Sequence, residues 1–95
     1  MMVSQLINKQ GKAVKNQFII VNGDVTTFQS YNTKIIDVNK KENTIVFYPN
    51  YNFSVTTSKY RNKFLSDILD ANIDTKTVDK MISDGMYNSF TVTLN

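Results

Sequence analysis

Residues 47 to 65 read FYPNYNFSVTTSKYRNKFL, and within this stretch the pattern changes from that of a strand to that of a helix. Pro49, the only proline, has no amide hydrogen to donate and should end the strand that precedes it. Further along, apolar side chains recur at helical spacing and define one face: Tyr60, Phe64, Leu65, Ile68 and Leu69. The change predicts a helix over about 57 to 70, with Thr56 or Thr57 as its N-cap.

Two hairpins are predicted on the N-terminal side of this stretch. The apolar run 17 to 21 leads into Asn22-Gly23, a dipeptide typical of a two-residue turn in which both central residues have positive φ. Residues 24 to 31 should then form the returning strand. Residues 34 to 38 and 44 to 48 predict a second hairpin, closed by the polar loop between them.

A second helix and a last strand are predicted near the C-terminus. Asp74 should begin the helix, because Ile73 before it and Val78 four residues after it occupy the positions of a hydrophobic staple. Gly85 is well placed to end that helix. The alternation of apolar residues with threonine over 90 to 94 indicates a half-buried strand.

The N-terminal dozen residues have two interpretations. Val3, Leu6 and Ile7 could begin a strand that turns at 8 to 12, or they could pack loosely. The order of elements predicts a single domain over residues 1–95 of the α+β class. We expect a mostly antiparallel sheet of four to five strands, with two helices packed on one face.

The composition argues against catalysis. The chain has no cysteine and no histidine, so it lacks the commonest general base, the commonest metal ligand and the best side-chain nucleophile. Three scattered glycines cannot build a phosphate-binding loop. Asp67, Asp70 and Asp74 match no metal-binding loop. We therefore expect a protein that is not an enzyme and holds no cofactor and no metal.

The chain has no pattern typical of export or membrane insertion. No apolar run approaches the roughly 18 residues of a membrane span. The first residues lack the basic leader and apolar region of a secretory signal. We expect the protein in the cytoplasm of a host cell.

Charge is unevenly distributed along the chain. Residues 1 to 63 carry nine cations and three anions, a balance of +6, whereas residues 64 to 95 carry two cations and five anions, a balance of −3. Such a dipolar molecule could bind an acidic partner through its basic part and a basic partner through its acidic part. Alternatively, its charges could simply be solvated.

The candidate site is a basic corner at the start of the first predicted helix. Lys59, Arg61 and Lys63 should lie in its first turns, where the helix dipole is positive and each exposed cation costs about 0.3 to 1 kcal/mol. Residues that oppose a local structural preference, with no visible stabilising contact in return, tend to lie at functional sites. In the alternative interpretation, the side chains extend into water and Lys63 pairs with Asp67.

Aromatic residues flank this corner. We expect Tyr48, Tyr51 and Arg61 to be exposed, whereas Phe47 and Phe53 should pack in the core. The corner could attract a phosphate of a nucleic acid or the carboxylates of a protein. The predicted partner-binding residues are Tyr48, Tyr51, Lys59, Arg61 and Lys63.

Four blocks of the sequence resemble those of a family of small uncharacterised proteins carried by phages, plasmids and prophages of Gram-positive bacteria: LINKQG (6–11), NQF (16–18), FQSYNT (28–33) and SVTTSKYRNKFL (54–65). The resemblance covers most of the first 65 residues and brings no catalytic residue with it. It implies a mobile-element context, in which small cysteine-free proteins often bind and block host machinery, including CRISPR nucleases and other defence systems.

Two functions follow as hypotheses. The first is a non-enzymatic phage or mobile-element protein that binds and inhibits or modulates a host protein, with an anti-CRISPR or other anti-defence inhibitor as its sharpest version. The alternative is a small nucleic-acid-binding protein that uses the basic helix start at 57–63. Nucleic-acid binding should weaken steeply with salt.

Overall fold

The computed structural model describes all 95 residues, which form seven strands and two helices. In chain order these are β1 (Met2–Ile7), β2 (Ala13–Asn22), β3 (Val25–Ser30), β4 (Thr33–Asn39), β5 (Thr44–Phe47), α1 (Val55–Leu69), α2 (Thr75–Asp84), β6 (Met86–Tyr87) and β7 (Phe90–Leu94). Neither helix is long and apolar enough to cross a membrane.

All seven strands belong to one sheet, in the order β1-β2-β3-β4-β5-β7-β6. Neighbouring strands are antiparallel except for β5 and β7, which are parallel. The α+β class, the two helices and the mostly antiparallel sheet are confirmed. The predicted four to five strands are too few, because the N-terminal residues do form a strand and the two-residue β6 is too short to leave a pattern in the sequence.

The first hairpin turns one residue later than predicted. Asn22 pairs with Val25 in the ladder, so the central residues of the turn are Gly23 and Asp24. Of these two only Gly23 has positive φ, at 63°. Positive φ at the first central residue alone is the pattern of a type II′ turn, which glycine favours for the same steric reason as the predicted turn.

A further hairpin, between β3 and β4, is closed by a turn that contains no glycine. Ser30 pairs with Thr33, so Tyr31 and Asn32 form the two-residue connection between β3 and β4. Tyr31 has a φ of 55°. A bulky side chain is uncommon in this left-handed region. The predicted strand to residue 31 therefore ends at Ser30.

One face of the sheet carries the core and both helices. Cross-strand partners share a face, so the ladder places Phe28, Ile36 and Phe47 side by side, and all three are fully buried. The ring of Phe64 in α1 stacks on Phe28 at 5.7 Å between centroids. Further along the same face, Val92 of β7 belongs to the same buried cluster as Val78 and Met81 of α2.

The second helix begins and ends where the sequence predicts. The side chain of Asp74 accepts a hydrogen bond from the Thr77 amide, and Gly85 ends the helix with a φ of 69°. Ile73 and Val78, the staple positions, are both buried. Each of these signals lies within a few residues of the helix end that it determines.

The first helix begins earlier than predicted. Its N-cap is Ser54, whose Oγ accepts a hydrogen bond of 3.0 Å from the Thr57 amide. The prediction of Thr56 or Thr57 is wrong because Thr57 is the only buried residue of the first turn, and apolar periodicity cannot detect a turn that buries no apolar side chain.

Candidate functional site

The five predicted partner-binding residues do not form one site. They lie in three places: Tyr48 on the sheet face opposite the helices, Tyr51 and Arg61 against the core, and Lys59 and Lys63 on the outer side of α1.

Tyr48 is held within a polar cluster on the sheet. Its hydroxyl donates a 2.6 Å hydrogen bond to Asp37, which also accepts a hydrogen bond from Thr27. Lys34 lies 3.5 Å from the same carboxylate and 5.2 Å from the centre of the Tyr48 ring. The hydrogen bond to Asp37, assisted by burial and by the charge of the carboxylate, raises the pKa of Tyr48 to about 12. The expected exposure of Tyr48 is therefore only partial.

Arg61 is fully buried, at 0 % exposure, and the prediction that it is exposed is wrong. It belongs to the buried stripe of α1 together with Thr57, Phe64 and Leu65, spaced at i−4, i+3 and i+4. This spacing directs the side chain towards the core in spite of its charge.

Neutral groups surround the Arg61 guanidinium. Nη1 donates to the carbonyl oxygen of Tyr51 at 2.7 Å, Nη2 donates to Thr75 at 3.2 Å, and both Nε and Nη2 donate to Asn62. No carboxylate lies within ion-pair distance. Burial lowers the pKa of Arg61, while the charge of Asp79 opposes that shift. Arg61 thus connects the loop before α1 to the start of α2.

Tyr51 is half-buried rather than exposed. Its ring meets Phe47 edge to face at 5.6 Å, and the guanidinium carbon of Arg61 lies 5.8 Å from its centroid. Both contacts direct the ring towards the core.

Lys59 and Lys63 remain at the surface and line a groove of about 380 Å³ together with Lys9, Tyr60 and Asp74. We call this the basic groove. Lys63 pairs with Asp67, as the alternative interpretation anticipated. Because α1 begins at Val55, these lysines lie in its second and third turns, beyond the first turn where the dipole acts most strongly. The helix charges therefore oppose the dipole less than the sequence indicated.

A different cavity lies where α1 begins. It has a volume of about 410 Å³ and lies between the β3–β4 turn and the first turn of α1. None of its ten lining residues is charged. We call it the aromatic cleft, and its lining includes Gln17, Ser30, Tyr31, Phe53, Ser54 and Thr56.

Exposed apolar side chains border the aromatic cleft. Two of its lining residues are largely exposed, Tyr31 at 61 % and Phe53 at 76 %. Val55, the first residue of α1, is 88 % exposed and lies between the lining residues Ser54 and Thr56 in the chain. The prediction that Phe53 packs in the core is wrong. Phe53 occupies the position before the N-cap, where a hydrophobic staple needs an apolar partner four residues into the helix, and that residue is Ser58.

The backbone holds Tyr31 in place from both sides. Its amide donates a 2.7 Å hydrogen bond to the carbonyl oxygen of Asn16, and its own carbonyl accepts a 2.8 Å hydrogen bond from the side chain of Gln29. These bonds keep the residue at positive φ, which costs an L-residue about 1 to 2 kcal/mol. Backbone strain of this kind is concentrated at functional sites.

Gln17 lines the cleft, and its side chain contains an unsatisfied polar atom that is sealed from solvent. The residue is 2 % exposed, and its Oε1 is buried without a hydrogen-bond partner. Nothing in the sequence identifies this group, because its burial depends on segments that are distant from Gln17 along the chain.

The structure brings no metal-binding group together. No cluster of three or more acidic, histidine or cysteine side chains has a geometry that could hold a metal ion. The three aspartates at the C-terminal end of α1 and the start of α2 are thus not gathered around a common point.

Fold and site together define a small α+β domain with an uncharged, aromatic-bordered cleft beside the start of its first helix. A family model matches residues 1–83, and the chain belongs to that family, described as a family of unknown function (DUF8033). The matched segment includes β1 to β5, α1 and most of α2. No curated protein and no solved structure matches the chain significantly.

Proposed function

We propose that this chain is a non-enzymatic binding protein that acts by contact with another protein, and that the aromatic cleft is its contact surface. The observation that carries the proposal is the strained and exposed Tyr31 beside the exposed Phe53. Aromatic side chains are enriched in the anchors of protein interfaces, and clustered exposed apolar groups mark binding surfaces.

The cleft is suited to a partner protein because hydrogen bonds hold the backbone segments that carry its apolar anchors. Tyr31 is fixed by its backbone hydrogen bonds, and the loop that carries Phe53 is tied to the core through the Arg61 contact to Tyr51. A surface that is ordered before binding loses little conformational entropy on association.

We further propose that the partner is a host protein and that binding inhibits or modulates it, as an anti-CRISPR or other anti-defence protein of a phage or mobile element does. The support is the resemblance of the four sequence blocks to proteins of phages, plasmids and prophages. The cytoplasm of the host cell is the compartment in which such contact would occur.

A nucleic-acid-binding role is the second candidate, favoured by the three lysines of the basic groove. It is weaker because Arg61 is buried, Lys63 is paired with Asp67, and Asp74 adds an anion to the groove. If the groove binds phosphates, a gel shift should weaken steeply with salt, and Lys9→Ser with Lys59→Ser should abolish it.

Affinity capture with matched variants tests the protein-binding proposal. The tagged wild type, a Tyr31→Asn/Phe53→Ser double variant and a Met86→Ser control are each incubated with lysate of the host cell, and captured proteins are quantified by mass spectrometry. Met86 is 57 % exposed on β6 and does not line the cleft. We expect a protein that the wild type and the control retain and the double variant loses by at least about tenfold. Identical capture by all three would reject the cleft as the contact surface.

A further inference from the structure

We propose that two copies of this chain pair through β1, as neighbouring antiparallel strands of one continuous sheet. β1 lies at one edge of the sheet, and β2 is its only neighbour. The outer side of β1 therefore meets no strand of its own chain. None of its residues lines the aromatic cleft, so this pairing is independent of the proposed function.

The two edges of the sheet differ in how they are protected against pairing. β6, at the far edge, has only two residues, and a very short edge strand is a common protection. β1 has six residues, none of them charged and none a proline. Lysine and proline are the residues that commonly block an edge strand. Within β1, Met2 is 74 % exposed and Val3 is 58 % exposed, so this edge is open.

The turn between β2 and β3 determines which backbone groups of β2 point towards β1. Asn22 and Val25 are the two ends of this turn, and the ends of a type II′ turn are hydrogen-bonded to each other. Along a strand, successive residues direct their N–H and C=O groups to one side and then to the other. Because Asn22 bonds to β3, the backbone groups of Val21 and Ile19 point towards β1.

The same alternation continues into β1. Val21 pairs with Met2 and Ile19 pairs with Ser4, so these two residues of β1 bond to β2. Val3 and Gln5 then direct their N–H and C=O groups away from the sheet. The pairing with β2 is regular over residues 2 to 5, and its register shifts only after Gln5. The open edge thus presents two amides and two carbonyls in regular strand geometry.

A second copy supplies the complementary edge. With a twofold axis between the two Ser4 residues, Val3 of each copy lies opposite Gln5 of the other. Each such pair exchanges two hydrogen bonds, so every outward amide and carbonyl of Val3 and Gln5 has a partner. A twofold contact of this kind is self-complementary. Since the axis is perpendicular to the sheet, the helices of both copies lie on the same face.

Charge also favours a second copy at this edge. The net charge of +3 opposes association wherever cations of two copies meet. β1 carries none of the eleven lysines and arginines, so its pairing places no like charges opposite each other. The exposed Val3 also gains a neighbour across the new ladder.

Substitutions of Ser4, which is exposed and lies on the proposed axis, test this pairing. Ser4→Lys and Ser4→Glu each bring like charges face to face, whereas Ser4→Gln keeps the position neutral. In sedimentation equilibrium from about 10 µM to about 1 mM, the wild type and Ser4→Gln should rise from the 10.9 kDa of one chain towards twice that mass. Each charged variant should dimerise at least about tenfold more weakly.

An equimolar mixture of Ser4→Lys and Ser4→Glu is the decisive sample. Opposite charges then meet at the axis, so the mixture should regain the dimer that each variant has lost. Ser4→Glu alone separates this contact from a general effect of charge, because it lowers the net charge and would then associate more strongly than the wild type.

Amide hydrogen exchange gives a second readout. The amides of Val3 and Gln5 should become protected as the concentration rises, whereas the Ser4 amide, bonded to β2, should be protected throughout. A wild type that keeps the mass of one chain, or a dimer that the charged variants leave unchanged, would overturn the inference. Protection of Val3 and Gln5 by a captured host protein but not by a second copy would assign the edge to that protein instead.

Discussion

Nη1 of Arg61 donates a 2.7 Å hydrogen bond to the carbonyl oxygen of Tyr51, and this contact links the buried face of α1 to the loop that carries Phe53. The side chain of Arg61 is the largest fully buried side chain of the protein. It is also the group that sequence reasoning placed on the surface as a ligand for an acidic partner. Its role in the fold is to order the segment that borders the aromatic cleft.

Loss of the Arg61 side chain should destabilise the protein. Arg61→Ala leaves a cavity and removes the donors to Tyr51, Asn62 and Thr75, for an expected loss of about 3 kcal/mol in the free energy of unfolding. Lys59→Ala, on the exposed side of the same helix, should change it by no more than about 0.5 kcal/mol. Urea denaturation of both variants checks this; equal losses would show that Arg61 is not a structural residue.

Relief of the strain at Tyr31 should stabilise the fold. Asparagine tolerates positive φ better than tyrosine, so Tyr31→Asn should raise the free energy of unfolding by about 0.5 to 1 kcal/mol. Thr33→Asn, in the adjacent strand, should instead lower the free energy of unfolding, because asparagine is unfavourable in strands. Thermal denaturation compares the two. If Tyr31→Asn weakens partner capture while stabilising the protein, the strain serves function.

The Tyr48–Asp37 hydrogen bond should make stability fall at high pH. The pKa of Tyr48 is raised to about 12 in the folded protein, above its ordinary value of 10.0. The folded state therefore holds the phenolic proton more tightly than the unfolded state. This stabilisation is fully present below pH 10 and is lost as the pH rises towards 12.

Tyr48→Phe provides the control for that pH dependence. Denaturation of the wild type and the variant from pH 9 to 12 should show a steeper fall for the wild type across the interval between the two pKa values. Parallel curves would contradict the assignment of the raised pKa to this hydrogen bond.

The start of α1 can be located by alanine substitution. Ser54→Ala removes the N-cap oxygen and should cost about 1 kcal/mol, whereas Thr56→Ala at the exposed second helical position should be close to neutral. Chemical denaturation again provides the measurement. A larger loss for Thr56→Ala would restore the N-cap that the sequence predicted.

Sequence signals close to the ends of a helix or strand were sufficient to predict that element. The features that sequence did not predict depend on contacts between residues far apart in the chain. The capping aspartate, staple and terminal glycine of α2 all lie between residues 73 and 85 and were sufficient to define that helix. By contrast, the parallel pairing of β7 with β5 joins strands more than forty residues apart, and nothing in either strand specifies that neighbour.

The site was harder to predict than the fold. The stripe that buries Phe64 also buries Arg61, so helical periodicity could have placed the arginine correctly if charge had not been given more weight. Phe53 could have been judged exposed from the serine at its staple position. Tyr31 and Gln17 had no such signal, because a turn without glycine and a buried amide are products of the assembled sheet.

Site-specific photo-crosslinking tests the central claim most directly. A photoreactive phenylalanine analogue replaces Phe53 at the edge of the cleft, or Met86 on the edge strand β6 as control, in cells of the host. The proposal predicts a light-dependent covalent adduct to another protein at position 53 that is absent at position 86. No adduct at position 53, or the same adduct at both positions, would contradict the assignment of the aromatic cleft as a protein-binding surface.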